Sequence, residues 1–153
     1  MEISTQEVEQ RVSGFKEACR KAGVKLTHQR LEIFREMAQT VDHPDAESVY
    51  NSVRERVPTV SMDTVYRTLW MLNDLGLVKT LGQAHERTRF DANLKRHHHF
   101  VCVRCGLTRD FYSDELDELD VRAATRDVGQ VVSTLVEVHG VCNECAQKEK
   151  KGL

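Results

Sequence analysis

Nowhere in this 153-residue chain do apolar residues run long enough to cross a bilayer, which takes roughly 18 to 20 in succession. The opening MEISTQEVEQRVSGFK is charged throughout and lacks the apolar stretch of a secretory signal. Both absences lead us to expect a soluble, cytoplasmic protein with no membrane partner. A surplus of positive charge is also missing. Lys and Arg number 22 against 24 Asp and Glu, a net charge of −2. Splitting the chain after Phe90 gives 13 against 13 and then 9 against 11, so any nucleic-acid face must be a local arrangement. There are no repeats or low-complexity segments. No nucleophile–base pair, cofactor loop or substrate-pocket motif is present, so an enzyme such as a metal-dependent oxidase or hydrolase is not expected.

Cysteine is sparse but grouped. Of five, four form two close pairs, Cys102/Cys105 and Cys142/Cys145, and Cys19 is left over. A secreted disulfide framework would be denser and in a shorter chain, whereas paired C-x-x-C in an intracellular protein points to metal or redox chemistry. Neither pair sits in the βαβ context of a thioredoxin-like motif. Each turn can aim two thiolates at one ion, about 2.3 Å from each sulfur, and two turns complete a tetrahedron. The expectation is structural Zn2+ on Cys102, Cys105, Cys142 and Cys145. Because 36 residues separate Cys105 from Cys142, the intervening chain must fold back to close the site. Cys19 reads as a small buried residue on a helix.

Hydrophobic periodicity predicts helices through the first half. Val8, Val12, Phe15, Cys19 and Ala22 share a face, and Gly23 stops that helix. Thr27, Asp45 and Ser61 read as N-caps of three more. The last of these carries an apolar stripe of Val65, Leu69, Leu72 and Leu75. LVKTL and RTRFD then read as strands around a polar tip, Gly82 to Glu86. Short helices followed by a hairpin are the plan of a winged helix, whose last helix enters the major groove. The stripe leaves Asp63, Thr64, Arg67, Thr68 and Met71 off the buried face, with Tyr66 beside them. Arg can read guanine or grip phosphate, and Thr and Tyr can contact phosphate or a thymine methyl. An ordinary solvated helix face fits the same residues.

From about Ala92–Arg96 the pattern changes. HHHFVCVRC and LTRDFYSD read as strands joined by the first cysteine turn, DELDELDVRAATRDVG as a helix, QVVSTLVEVHG as a strand and CNECAQKEKKG as a short helix. His97 and His99 alternate along a strand and so share a face, with Cys102 of opposite parity. Asp110 comes within reach of that face if the two strands pair. Asp91 ends the hairpin, and His43 precedes Pro44. Three imidazoles and two carboxylates make an N/O shell suited to Fe2+ or Mn2+. A solvated histidine run and a simple turn aspartate remain an equal alternative.

These residues also resemble a known family. GVKLTHQR, HPDAESVY, SMDTVYRTLWMLNDLGLVK, RFD, HHHFVCVRCG and GVCNECA, in this order and spacing, are similar to the ferric uptake regulator family from about Phe15 to Lys148. The resemblance implies an α+β fold, with a winged-helix DNA-binding domain at 1–91 and a small α/β dimerisation domain at 92–153 holding the four-cysteine zinc. It implies a regulatory Fe2+ or Mn2+ on His43, Asp91, His97, His99 and Asp110. Tyr66 and Arg67, with Thr64 beside them, fall on its recognition helix, Lys25 near the DNA backbone or minor groove, and Arg30 as a supporting contact. The implied protein is a homodimeric repressor of a palindromic double-stranded operator, with no small-molecule substrate beyond metal and peroxide. Asp at both 91 and 110 looks like the peroxide-sensing branch, in which His43 and His97 would be oxidised by Fe2+ and hydrogen peroxide. An iron-responsive regulator without peroxide sensing is the alternative. Two positions depart from the family's pattern: Thr134 stands where many members have a histidine, and His28 where a proline is common. His28, His85, His98 and His139 are given no metal role. A metal buffer without DNA contact is a third class, against which the recognition-helix residues argue.

Overall fold

Four capped helices build the first half, as shown by a computed structural model that describes residues 2–81 and 87–152. Helix α1 (Thr5–Ala22) begins where the Ser4 hydroxyl accepts from the Glu7 amide at 3.2 Å. It ends at Gly23, whose φ of 66° lets the Val24 amide reach back to the Cys19 carbonyl at 2.9 Å. Helices α2 (His28–Gln39), α3 (Ala46–Arg56) and α4 (Met62–Asp74) start on Thr27, Asp45 and Ser61, the three expected caps. Each cap side chain accepts from the amide three residues on.

The core lies between these helices. Helix α2 packs on α1, α3 and α4, and α3 packs on α4. Phe15 stacks on Phe34 with ring centroids 4.6 Å apart. Ile33, Val49, Val53, Val65, Leu69 and Leu72 are fully buried around them. The buried stripe of α4 is wider than its apolar residues indicated. Thr68, expected off the core, is buried between Val65, Leu69 and Leu72, and Met71 packs partly against the core. A core-facing helix buries an arc of a hundred degrees or more, so positions flanking the stripe go inside as well. Strands β1 (Lys79–Leu81) and β2 (Arg89–Asp91) then pair antiparallel, with Lys79 opposite Asp91. The hairpin tip expected at Gly82 to Glu86 lies outside the described residues.

The chain divides into two compact units, Met1–Leu94 and Lys95–Leu153. In the second, β3 (His98–Cys102) is the central strand, with β4 (Thr108–Phe111) antiparallel on one side and β5 (Glu137–Gly140) parallel on the other. The parallel strand requires a crossover, which residues 112–136 supply. Gly140 faces the Phe100 ring so closely that a Cβ would come within 2.9 Å of it. Helix α7 (Asn143–Lys151) follows.

Two expectations need correction here. The helix foreseen in DELDELDVRAATRDVG is two single turns, α5 (Asp114–Asp117) and α6 (Arg122–Thr125). Asp120 accepts from the Arg122 amide at 3.0 Å, a local bond that competes with continuing the helix. The strand foreseen in QVVSTLVEVHG is confined to its last four residues, Glu137–Gly140, which lie opposite His99–Cys102. Helices and small sheets follow one another along the chain, so the fold is α+β, a winged helix followed by a small α/β unit.

Leu69→Ala should destabilise the first unit by ~2–5 kcal/mol, since the residue is wholly enclosed and its cavity cannot fill from solvent. Urea unfolding followed by fluorescence of Trp70, the one tryptophan, measures this. An unchanged midpoint would contradict the packing described.

Candidate metal centres and nucleic-acid interface

The turn after β3 carries the first cysteine pair. Gly106, at φ 75°, reverses the chain, with its amide on the Cys102 carbonyl at 2.9 Å. The second pair flanks and opens α7, with Cys142 as its N-cap residue and Cys145 in its first turn. Pairing of β5 with β3 brings Gly140 opposite Cys102 and so delivers Cys142 to the first turn. The four sulfurs lie within 4.8 Å of one another. Cys105 Sγ and Cys142 Sγ are 3.8 Å apart. Bonds of about 2.3 Å at tetrahedral angles put sulfurs roughly 3.8 Å apart, so the cluster fits Zn2+ in size and donor type.

The surroundings favour thiolate. The Cys142 amide donates to Cys102 Sγ at 3.3 Å, and this bond, with that from the Cys105 amide, lowers the Cys102 thiol to about 6. Cys145 is pushed up to about 12 by the neighbouring thiols of Cys142 and Cys105, which crowd it against losing a proton to form a second anion. A divalent cation removes that conflict by giving every thiolate a positive neighbour.

On the opposite parity of the same strand, a nitrogen–oxygen cluster forms. His99 pairs with Asp110 in the β3–β4 register. The Asp110 carboxylate lies 3.3 Å from His99 Nε2 and 3.5 Å from His97 Nε2, and the two imidazole nitrogens are 3.0 Å apart. His97 Nδ1 contacts the Lys95 carbonyl at 2.6 Å. A carbonyl only accepts, so Nδ1 carries the proton and Nε2 presents its lone pair inward. Metal bonds of about 2.1 Å at right angles separate donors by roughly 3 Å, which the two imidazoles match. His98 faces the other way. Its Nδ1 accepts from the Val136 amide at 3.1 Å, and its Nε2 contacts Asp117, which Arg96 also pairs. His98 is therefore a tie between β3, α5 and the approach to β5.

In the first unit, His43 and Asp91 form a second small group. His43 has a φ of 49°, the left-handed region that a non-glycine residue enters at a cost of roughly 1–2 kcal/mol. The conformation is held from both sides. The Phe90 amide donates to the Pro44 carbonyl at 3.0 Å, and Asp45 bridges to Arg89. This stitches the loop to β2 and leaves His43 Nε2 at 3.5 Å from the Asp91 carboxylate. The other Asp91 oxygen accepts from the Asn93 amide at 2.8 Å.

The expected nucleic-acid residues all lie in this unit. Tyr66 is half exposed and Arg67 largely so, with Arg67 Nε on Asp63 at 3.0 Å. Thr64 is partly covered and bonded to the capping hydroxyl of Ser61 at 2.9 Å. Lys25 is exposed, and its carbonyl accepts from Arg30 Nη1 at 2.5 Å. Sequence reasoning missed Arg87, beside the wing, which pairs with Asp45 and Glu47 at 3.2 and 2.6 Å. No periodic signal marks a charged residue at a hairpin base.

Against known proteins, the profile of the Ferric uptake regulator family matches residues 21–139. The chain belongs to this family. Its members are metal-responsive regulators of transcription and not enzymes. The chain is 36% identical over 129 residues to the peroxide-responsive repressor PerR of Staphylococcus epidermidis, covering 84% of this chain and 86% of that one. Among solved structures, the ferric uptake regulator of Helicobacter pylori superposes with a TM-score of 0.74 at 22% identity, over 95% of this chain and 97% of its own, and shows the same fold. A zinc-bound manganese uptake regulator matches with a TM-score of 0.66 at 28% identity, over 83% of this chain and 97% of its own.

Zinc affinity should fall steadily as pH drops from 8 to 5. The thiols must surrender protons to bind, and below about 6 even Cys102 is protonated. A competing chromogenic chelator reads this directly. Affinity independent of pH would show that the ion is not held by thiolates, and Cys142→Ser retaining full zinc would show the same.

Proposed function

We propose that this protein is a cytoplasmic, homodimeric repressor that binds palindromic operator DNA when a regulatory Fe2+ or Mn2+ is held by His43, Asp91, His97, His99 and Asp110. The observation that carries this reading is the donor chemistry of the two units. One contributes two imidazoles and a carboxylate converging within 3.5 Å, and the other an imidazole on a strained, clamped loop beside the carboxylate that ends β2. Neutral imidazoles and hard carboxylates suit Fe2+ or Mn2+, while thiolates suit the separate structural Zn2+. In this reading domains 1–91 and 92–153 are joined by the shared ion. The ion then favours one relative orientation of two winged helices over others, which is a population shift driven by differential affinity.

The chain's own residues divide the work. Asp91 and Asp110 orient their imidazoles, and the His97 tautomer is fixed by Lys95. Tyr66, Arg67 and Thr64 would meet the major groove, with Lys25 and Arg30 on the backbone or minor groove. Val128 and Val132 are strongly exposed and Leu135 half exposed in a single chain, as a face awaiting a second copy would be. Within the family, similarity to a peroxide-responsive repressor and aspartate at both carboxylate positions favour peroxide sensing. Bound Fe2+ would supply the electron that cleaves hydrogen peroxide, and by the family resemblance His43 and His97 are the imidazoles that would be oxidised. The second reading, an iron-responsive regulator insensitive to peroxide, uses the same ligands.

Titrating zinc-loaded protein with Fe2+ or Mn2+ without oxygen, then adding peroxide, separates these readings. Loss of DNA binding in the Fe2+ sample alone, with one oxygen atom gained on the peptide bearing His43 or His97, is expected. Binding that survives peroxide without histidine oxidation assigns the iron-responsive branch. His43→Ala should keep zinc and dimer yet lose metal-activated DNA binding entirely. Normal metal response in that variant would end the shared-ion reading.

A further inference from the structure

Resting on the peroxide-sensing reading, we infer that Tyr112 is a further oxidation site, whose ring takes up oxygen to become a catechol and so spares His97. The last pair of the β3–β4 ladder is His98 with Phe111, so the antiparallel register carried one step outward sets Tyr112 opposite His97. Tyr112 also shares strand parity with Asp110, and so stands on the face that bears the carboxylate. The rings of His97 and Tyr112 lie with centroids 6.3 Å apart, tilted by 56°. His97 and His99 are buried, at 6% and 1% exposure, while Tyr112 is 57% exposed. The phenol ring is therefore the exposed neighbour of a buried imidazole pair.

An oxidant released beside His97 has more than one target. Fe2+ held by the cluster supplies one electron to hydrogen peroxide. The O–O bond breaks to give hydroxide and a hydroxyl radical, which attacks the first group it meets. Addition to the Tyr112 ring, at the carbon next to the phenol carbon, forms a C–O bond. The adduct then returns one electron to the iron and gives the displaced ring proton to the hydroxide, which becomes water. One peroxide is consumed, one water is formed, the ring gains one oxygen atom, and the iron ends as it began. An aromatic ring accepts such addition at a rate set by encounter, so proximity decides how the oxidant divides between Tyr112 and His97. A catechol at 112 leaves every metal ligand intact. Each event on Tyr112 is thus a peroxide that does not disable the cluster.

A plainer account exists for the same residue. Single aromatic side chains on a protein surface are ordinary, and an exposed tyrosine needs no role. Tyr66 supplies the comparison within the same chain. It is 52% exposed, nearly matched to Tyr112, and its ring lies against Trp70. Oxidant arriving from bulk solvent would mark both tyrosines alike. Oxidant made at the cluster marks the ring beside His97.

The test uses the full chain loaded with zinc and Fe2+ without oxygen, and treated with substoichiometric hydrogen peroxide. Peptide mass spectrometry with fragmentation then places each added oxygen on its residue. Tyr112 is expected to gain one oxygen atom at several times the yield of Tyr66, and to gain none when Mn2+ replaces Fe2+. In Tyr112→Leu, compared at equal iron content, oxidation of His97 per peroxide consumed should roughly double, because two comparably near targets divide one oxidant. Tyr112→Phe should again take up oxygen at 112 and keep His97 oxidation near the wild-type yield, since addition needs a ring and not a phenol. Histidine oxidation with Tyr112 unmarked, or equal marking of Tyr112 and Tyr66, would overturn the assignment and leave peroxide sensing in place. Unchanged His97 oxidation in Tyr112→Leu would overturn it as well, since the ring would then spare nothing. An Fe2+ sample in which no histidine and no tyrosine gains oxygen would instead refute peroxide chemistry at the cluster, and the role of Tyr112 with it.

Discussion

Strand pairing with β3 in one register is the constraint on which the chemistry of the second unit depends. With His99 opposite Asp110 and Cys102 opposite Gly140, the imidazole–carboxylate cluster forms at one end and the four thiols gather at the other. A slip of one residue would put His98 where His99 stands and turn the cluster's residues to the wrong faces. Several features pin the register. His98 is bonded on both ring nitrogens, and the Phe100 ring fills the space over Gly140 that any side chain would need. His98 therefore helps to place the two histidines that flank it.

The two clusters differ in what their donors permit. Four thiolates around a tetrahedral ion leave no position for another ligand, so such a site holds structure and does no chemistry. Imidazoles and carboxylates bind harder ions in larger shells and exchange them more readily. Because alternate residues of a strand point to opposite faces, one short strand serves both without competition for ligands. Segregation by parity explains how a redox-active ion and a structural one can be kept apart over a few residues.

Much of this was legible in the sequence, and the parts that were not share a cause. Helix starts were written in single residues, Thr27, Asp45 and Ser61, because capping is a local hydrogen bond. The cysteine spacing and the parity of His97, His99 and Cys102 are likewise local and could be read directly. Thr68 was misplaced because its polarity outweighed its position, whereas packing follows position. The broken helix at Asp117–Arg122 was hidden because an acidic, alanine-containing stretch has helical propensity, and the Asp120 side-chain bond that interrupts it leaves no periodic mark. The shortened β5 depends on which residues find a partner on β3, which no property of residues 130–136 records. Arg87 belongs with these, since its pairing with Asp45 and Glu47, some forty residues away, is a fact about distant residues and not about a pattern.

The same contrast shows in the first unit, at His43. An unfavourable backbone conformation persists only where surrounding contacts over-determine it. Here they come from Pro44, bonded to Phe90, and from Asp45, bridged to Arg89, both on the strand that ends in Asp91. The histidine and its carboxylate are thus fixed by one set of backbone bonds, and the short aspartate side chain adds little freedom of its own. A glutamate would reach further but would bring another rotatable bond to be frozen on binding. Aspartate at this position exchanges reach for preorganisation, so the placement of the imidazole rests on the strand and the proline loop.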